Sequence, residues 1–410
     1  MLRLLRSNAD LRWLFIAQVI SFMGDWFTFV AVAGMVHDAT GSEFLVSVAY
    51  VSFSLPAFLA SPIAGPVADR FDRRRLLIVV SAMQAVAAMG LLTASDDMVW
   101  PLFLFQGTIS ALAAFVKPAI DAGVPNLARD PDELRTANAL FGSMWGIMLA
   151  VGASIGGVFS QIFGRQAAFF ADAVTFVAAV GLFALIRRPM QEPQHEHRST
   201  MHPVQDMAEA VHYARKDHVV LALIASKATF AIGAGTVSQL PVLASEVYGW
   251  DDMGTGLLMG ARGVGVGLGP IIASRYARGR LSVVLRICGF AGIFYSLFYV
   301  GAAWAPFLLL SALFIALAHL GGGSQWTLST YGLQVRTPDA IRGRVMAGDF
   351  AMVTLVISVS GLLSGVLSEA VGPQWTMTIA SAAAGLSGLV YLMTTRPIVH
   401  TLESQELVAA

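Results

Sequence analysis

Charged side chains are scarce in this chain: Asp, Glu, Lys and Arg make up 13% of its 410 residues, where a soluble globular chain carries about 25%. That scarcity excludes an ordinary soluble domain. Neither sign is in excess, with 26 basic and 26 acidic residues, so nothing points to nucleic acid as a partner. Cysteine occurs once, at Cys288, which excludes an internal disulfide framework; inside an apolar run it reads as a small packed side chain. There is no phosphate-loop motif for ATP, no Ser-His-Asp arrangement and no metal-ligand cluster. The sequence therefore predicts neither an enzyme nor a cofactor, and an energy source other than ATP, most simply an ion gradient. Gly263, Gly265, Gly267 and Gly269 mimic a nucleotide loop, but they lie in an apolar helix with no strand before it. His195 and His197 have no cysteine or third ligand nearby and read as a solvated loop.

What the chain has in abundance is apolar surface. Apolar residues reach 56% and mean hydropathy is +0.68. A helix needs about 20 mostly apolar residues to cross the hydrocarbon layer. The first half offers six such runs, at 11–36, 44–68, 76–94, 99–119, 137–160 and 167–186. The second offers six more, at 219–245, 254–273, 283–301, 305–332, 345–369 and 375–395. The runs are too long for strands and show no period-two alternation. The first is also longer than the ~7–15-residue core of a signal peptide, so it is expected to stay in the protein. The expected fold is an all-α integral membrane protein of about twelve transmembrane helices.

Orientation follows from the basic residues. With both termini in the cytoplasm and alternating helices, twenty-three of the 26 basic residues fall in cytoplasmic segments, as the positive-inside rule requires. Arg165 alone falls in an outer loop, and Lys227 and Arg262 fall within helices. The outer loops carry Asp38, Glu43, Asp96, Asp97, Asp251 and Asp252. The longest polar stretch then divides the chain into an N-terminal six-helix half (1–188), a cytoplasmic linker (189–218), a C-terminal six-helix half (219–396) and a cytoplasmic tail (397–410). Within the linker, Val204–Lys216 has an apolar face that predicts a short surface helix.

The halves echo each other. Pro131-Asp132-Glu133-Leu134-Arg135 returns 207 residues later as Pro338-Asp339-Ala340-Ile341-Arg342. Gly152 and Gly156 return 209 residues later as Gly361 and Gly365, and Gly65–Arg75 has a weaker echo in Gly269–Arg280. A parallel six-plus-six repeat describes a large class of secondary transporter, with the substrate site between halves near mid-membrane.

The loop after the second helix reads Gly65-Pro66-Val67-Ala68-Asp69-Arg70-Phe71-Asp72-Arg73-Arg74-Arg75. It resembles the signature loop of the major facilitator superfamily, with Asp72 where a second glycine is common. Gly65 lets two helices approach closely, and Asp69 can accept hydrogen bonds at a facing helix N-terminus. The resemblance implies a partner near Arg344–Gly348 and a gating role for Gly65, Asp69, Arg70, Arg73 and Arg74; plain topology anchoring is the alternative for the arginines. Further matches are Ser21-Phe22-Met23-Gly24-Asp25, Asn138-Ala139-Leu140, Glu209-Ala210-Val211-His212-Tyr213 and Arg342-Gly343-Arg344-Val345. These resemble the bacterial drug-efflux branch that includes macrolide efflux proteins and enterobactin exporters. Gly152-Ala153-Ser154-Ile155-Gly156-Gly157 is similar to the antiporter signature, with Ala153 in place of its proline. A helix-packing face accounts for Gly152, Gly156 and Gly157 equally well.

Ionisable residues at bilayer depth are costly and mark pathways. Asp25, midway along helix 1, is the first candidate for carrying a proton or pairing with a cationic drug. Arg262 can hold an anionic group or partner Asp25, and Lys227 either shares such a role or snorkels to the inner interface. His319 can titrate or simply pack. Asp172 and Asp349 read as interfacial residues satisfied by water. Gln18, Gln84, Gln106 and Gln325 offer polar contacts, and Trp26, Phe29, Trp145 and Trp326 offer an apolar lining. The reading these support is proton-coupled efflux of amphipathic small molecules (drugs, macrolides or siderophores) by alternating access. It implies a monomer in the bacterial inner membrane, with a small-molecule substrate, protons and the lipid bilayer as partners. A lipid or lysolipid flippase of the same fold is the alternative. A sensor would carry an added signalling domain, and an intramembrane enzyme would need a catalytic constellation.

Overall fold

A computed structural model describes residues 2–191, 211–277, 280–337 and 339–409. Among them the chain is helical throughout, with a single β-bridge between Ser95 and Met98. Helix is what an apolar chain in lipid must form, because every backbone N–H and C=O then finds its partner within the segment. The helices are α1 (Leu2–Ser7), α2 (Ala9–Thr40), α3 (Glu43–Ser52), α4 (Leu55–Arg70), α5 (Arg73–Leu91), α6 (Trp100–Leu127), α7 (Pro131–Phe163) and α8 (Arg165–Ala184). There follow α9 (His218–Ile232), α10 (Asp251–Ala277), α11 (Leu281–Ala303), α12 (Leu308–Arg336) and α13 (Asp339–Ala409).

Polar residues fix where these helices begin. Asn8 Oδ1 accepts the Leu11 N–H at 3.1 Å at the head of α2, and Asp217 Oδ1 accepts from Val219 and Val220 at the head of α9. Asp72 caps α5 by accepting the Arg75 N–H at 2.8 Å. Its departure from the family's glycine therefore supplies an acceptor that a first helical turn needs.

Eleven helical segments among the described residues are long and apolar enough to cross a membrane. The last, Gly348–Leu407, runs 60 residues, about 90 Å of helix, and holds two crossings. They meet at Gly372, whose φ of 79° and ψ of 167° break the helix, with Pro373 opening the second arm where its missing N–H costs nothing. The fold is thus the expected all-α membrane bundle.

Two expected runs are broken. The 44–68 run bends at Phe53–Ser54 between α3 and α4. The 219–245 run stops at Ile232 and continues through short turns, Gly235–Ser238 and Leu240–Val242, into a π-helical turn at Leu243–Val247. Gly233, Gly235 and Pro241 explain this second break. Ser360 of α13 repairs it, accepting the Gly235 N–H at 2.9 Å and donating to the Ile232 carbonyl at 2.5 Å.

The chain folds as two compact units. Unit 1 comprises Met1–Met201 with Trp250–Gly260, and unit 2 comprises His202–Gly249 with Ala261–Ala410. The sequence boundary in the linker did not foresee that the start of α10 joins unit 1. Gly157 of α7 and Gly256 of α10 explain it, since a Cβ on Gly157 would lie 2.9 Å from the Gly256 Cα. His195, His197 and most of the predicted surface helix lie outside the described residues; its end, 211–216, is helical. Residues 397–409, read as a tail, instead continue α13. Val399 and Leu402 are buried with Leu285 and Cys288, Arg286 pairs with Glu403 at 2.7 Å, and Glu406 accepts from the Ser282 N–H and hydroxyl at 3.2 and 2.5 Å. That places a carboxylate at the first turn of α11, where the helix dipole favours it.

Apolar side chains point outward as well as inward: Leu59, Val86, Ile162, Val177, Leu297 and Leu363 are all exposed. Gln18, Gln84, Gln106, Gln239 and Gln325 are buried. That inversion suits a bundle whose surroundings are lipid.

Candidate functional site

In unit 1 the interior charge is acidic. Asp25 lies halfway along α2 and is half-buried. The charge of Asp172, from α8, acts on it. Asp172 is fully buried rather than interfacial. Its carboxylate accepts the Thr28 hydroxyl at 2.6 Å and the Thr175 hydroxyl at 3.3 Å. Gly24 makes the approach of α8 to α2 feasible, because a Cβ there would run into the Asp172 carboxylate and the Thr175 hydroxyl. The Gly24-Asp25 pair in the sequence is therefore a local device: the glycine admits one carboxylate beside the next residue's own. Around it Phe29 packs edge-on against Trp26, Tyr50 and Phe53, at ring separations of 5.4, 6.2 and 4.8 Å. The Trp145 side chain lies outside the described residues.

About two turns from Asp172 along α8, Arg165 grips Asp252 of α10 with two hydrogen bonds of 3.0 Å, from Nε to Oδ2 and from Nη2 to Oδ1. Its Nη1 reaches Asp38 at 2.7 Å, and the Ser160 hydroxyl donates to Asp252 at 2.5 Å. Gly34 of α2 leaves the room that this forked pair fills. Sequence reasoning separated these residues into a lone outer arginine and acidic loops. The signal that could have joined them was that arginine's isolation among carboxylates.

In unit 2 the interior charges are opposed. Lys227 Nζ forms an ion pair with Asp349 Oδ2, donates to the Thr330 hydroxyl at 2.9 Å and stands 5.0 Å from the centre of the Trp326 ring. Both charged side chains are 3% exposed. Lys227 therefore does not snorkel, and Asp349 is not an interfacial residue satisfied by water. Lys227 is the tenth residue of α9, and Asp349 is the second residue of the apolar span Gly348–Leu407. Asp349 Oδ1 is buried without a hydrogen-bond partner.

His319 is enclosed by Phe230, Tyr295 and Tyr299, with its Nε2 2.9 Å from the Tyr299 hydroxyl. It is fully buried. Tyr295 shares a 2.6 Å hydrogen bond with Thr236 at the broken helix. Arg262, whose Nε is buried, belongs to the same unit.

Of the signature loop, the side chains of Gly65, Asp69 and Arg70, and of Arg344 expected opposite, lie outside the described residues. Arg73 donates to the Met190 carbonyl at 3.1 Å. Arg74 donates to the carbonyls of Phe183 and Ala184 at 3.3 and 2.5 Å, at the end of α8 where the Phe183 carbonyl also accepts the Ile186 N–H. Gly152 and Gly156 of α7 face Trp26 and Phe27 of α2, where a Cβ would lie 2.9 and 3.0 Å from them. Among the described residues no group of His, Cys, Asp and Glu could hold a metal ion.

A broken-helix bundle with ionisable residues deep in its spans is the arrangement of a secondary transporter. The model of the transmembrane secretion effector family matches residues 5–409, and the chain belongs to that family of major facilitator transporters. It is 23% identical to the staphyloferrin A transporter of Staphylococcus aureus, over 96% of this chain and 98% of that protein. It is 24% identical to the enterobactin exporter of Citrobacter koseri, over 96% and 93%. Among solved structures, a bacterial homolog of the human lysosomal transporter Spinster aligns with a TM-score of 0.76 over 95% of this chain and 96% of that one, at 13% identity. The protein is thus a multi-pass membrane transporter and not an enzyme.

Proposed function

We propose that this chain exports amphipathic small molecules from a bacterial cytoplasm in exchange for protons, by alternating access across the inner membrane. The observation that carries the reading is Asp25, a carboxylate placed halfway along a spanning helix and under the influence of Asp172. Two neighbouring carboxylates in apolar surroundings cannot both stay ionised at low cost, and together they form a place to take and release a proton. The basic helix ends, including Arg73 and Arg74, face the cytoplasm with both termini, in keeping with the positive-inside distribution. Asp69 of the signature loop, with Gly65 and Arg70, biases the closed state on that side. Arg262, Lys227 and His319 supply the polar interior of unit 2. The exported class follows the relatives, a staphyloferrin A transporter and an enterobactin exporter: siderophores and drugs of that amphipathic kind, including macrolides, handled by a monomer.

The test is transport of cationic dyes, macrolides and siderophores into inside-out vesicles, comparing the wild type with Asp25→Asn, with and without a protonophore. Uptake that needs the gradient and vanishes in the variant is the expected result. Undiminished transport by Asp25→Asn removes Asp25 from the mechanism. Transport indifferent to the protonophore removes the proton.

A further inference from the structure

Unit 2 contains a buried pair of opposite charges that proton exchange at Asp25 leaves without a task. The Lys227 ammonium has three donors. It directs two of them at Asp349 Oδ2 and the Thr330 hydroxyl, while standing against the face of Trp326. Asp349 Oδ1 is buried with no hydrogen-bond partner. Desolvating two charges is best repaid by complete pairing, so an unpaired oxygen in a buried bridge calls for an explanation. Half of this carboxylate is unpaired, in a residue that is 2% exposed.

We propose that Asp349 is an internal stand-in for a carboxylate of the transported molecule, and that Lys227, Thr330 and Trp326 form a subsite for aromatic or otherwise flat amphipathic carboxylates. On loading, the ionic contact between Lys227 and Asp349 breaks and one between Lys227 and the incoming carboxylate forms. Asp349, left without its cation, takes one proton from the solvent and becomes a neutral acid. The subsite carries no net charge before or after, which is what an apolar interior demands. The Thr330 hydroxyl is available to the second oxygen of the incoming group, and the Trp326 ring to its flat apolar part. Cys288 of α11 and Tyr391 on the second arm of α13 are buried in the core cluster that also holds Leu328 and Val345, on the two helices that carry Thr330 and Asp349. Neither is a carboxylate, so Asp349 is the group that answers for the proton.

The inference rests on the export reading only in taking the cargo to be a small amphipathic molecule. The test is equilibrium binding of 1-naphthoate to the purified full-length protein in detergent between pH 5.5 and 8, with uncharged 1-naphthalenemethanol as the control for micelle partitioning. Binding that takes up one proton strengthens about tenfold for each unit the pH falls. The wild type should show that slope. Asp349→Asn should bind more tightly at pH 8 and lose the slope, since the competitor and the proton acceptor are gone. Lys227→Gln should not bind above the control. An Asp349→Asn protein that binds no better than wild type, or a Lys227→Gln protein that binds as well, overturns the proposal. Should either variant fail to fold, proton uptake by the wild type in weakly buffered solution decides: one proton per naphthoate supports it, none defeats it. Failure here leaves gradient-driven dye export and its dependence on Asp25 untouched, and failure of the vesicle test leaves naphthoate binding untouched.

Discussion

Two clusters of ionisable groups, Asp25 with Asp172 in unit 1 and Lys227 with Asp349 in unit 2, meet the cost of burial in opposite ways. In unit 1, Asp25 and Asp172 have the same sign, and Asp172 relies on the hydroxyls of Thr28 and Thr175. In unit 2, Lys227 and Asp349 cancel each other. Like charges are relieved by a proton, opposite charges by contact. A site of the first kind responds to pH directly, whereas one of the second kind responds to whatever can replace a partner. The pseudo-repeat in the sequence thus does not extend to the charges of the interiors.

Breaking the pair in unit 2 should show the contrast most strongly. Lys227→Met leaves a buried carboxylate uncompensated and should destabilise by about 3–5 kcal/mol. The double variant Lys227→Met/Asp349→Leu should recover most of that loss, read as thermal unfolding in detergent. Equal loss in the single and double variants would mean the contact is not what stabilises the unit. Next in size is Arg165→Gln, which removes the forked hold on a buried Asp252 within unit 1. It should cost about 2 kcal/mol, with Asp252→Asn in the same background returning part of it. Gly24→Ala, which forces a methyl group into the Asp172 carboxylate, should cost about 1–2 kcal/mol and should be milder in an Asp172→Ser background. The smallest effect is expected from Asp172→Asn. Removing one of two like charges should change stability by less than about 1 kcal/mol and in the favourable direction at alkaline pH. A loss as large as that of Lys227→Met would erase the distinction between the units.

The spans were legible because lipid demands long apolar helices, and the runs around Leu11, Arg73 and Leu281 could be read directly from the sequence. The breaks were less legible. Gly233-Ala234-Gly235 is a visible weak point, but that the helix ends there depends on Ser360, more than a hundred residues away, accepting the buried Gly235 N–H. The same limit hid the pairings inside the membrane. Asp25, Lys227, Arg262 and His319 stand out singly, since a charge or imidazole in an apolar run is conspicuous. Asp172 and Asp349 read as interfacial because distance along a helix says nothing about which neighbour faces it. Thr28, one turn from Asp25, was the nearest hint of a carboxylate across the gap. Residues 397–409 read as a tail for a simpler reason: polar residues at a chain end look solvated until Glu403 and Glu406 are seen on α11.

The thiol of Cys288 packs in the core of unit 2 with Leu285, Val399 and Leu402. It is the one thiol in the sequence, fully buried, with its sulfur 3.9 Å from the Gln325 carbonyl and within the influence of Lys227. The natural chain is therefore its own single-cysteine labelling background. An alkylating reagent has one place to go, and it can arrive only when the helices around the charged pair part. The rate of that modification, with and without cargo, is a clock for the opening of unit 2, wound by the sequence itself.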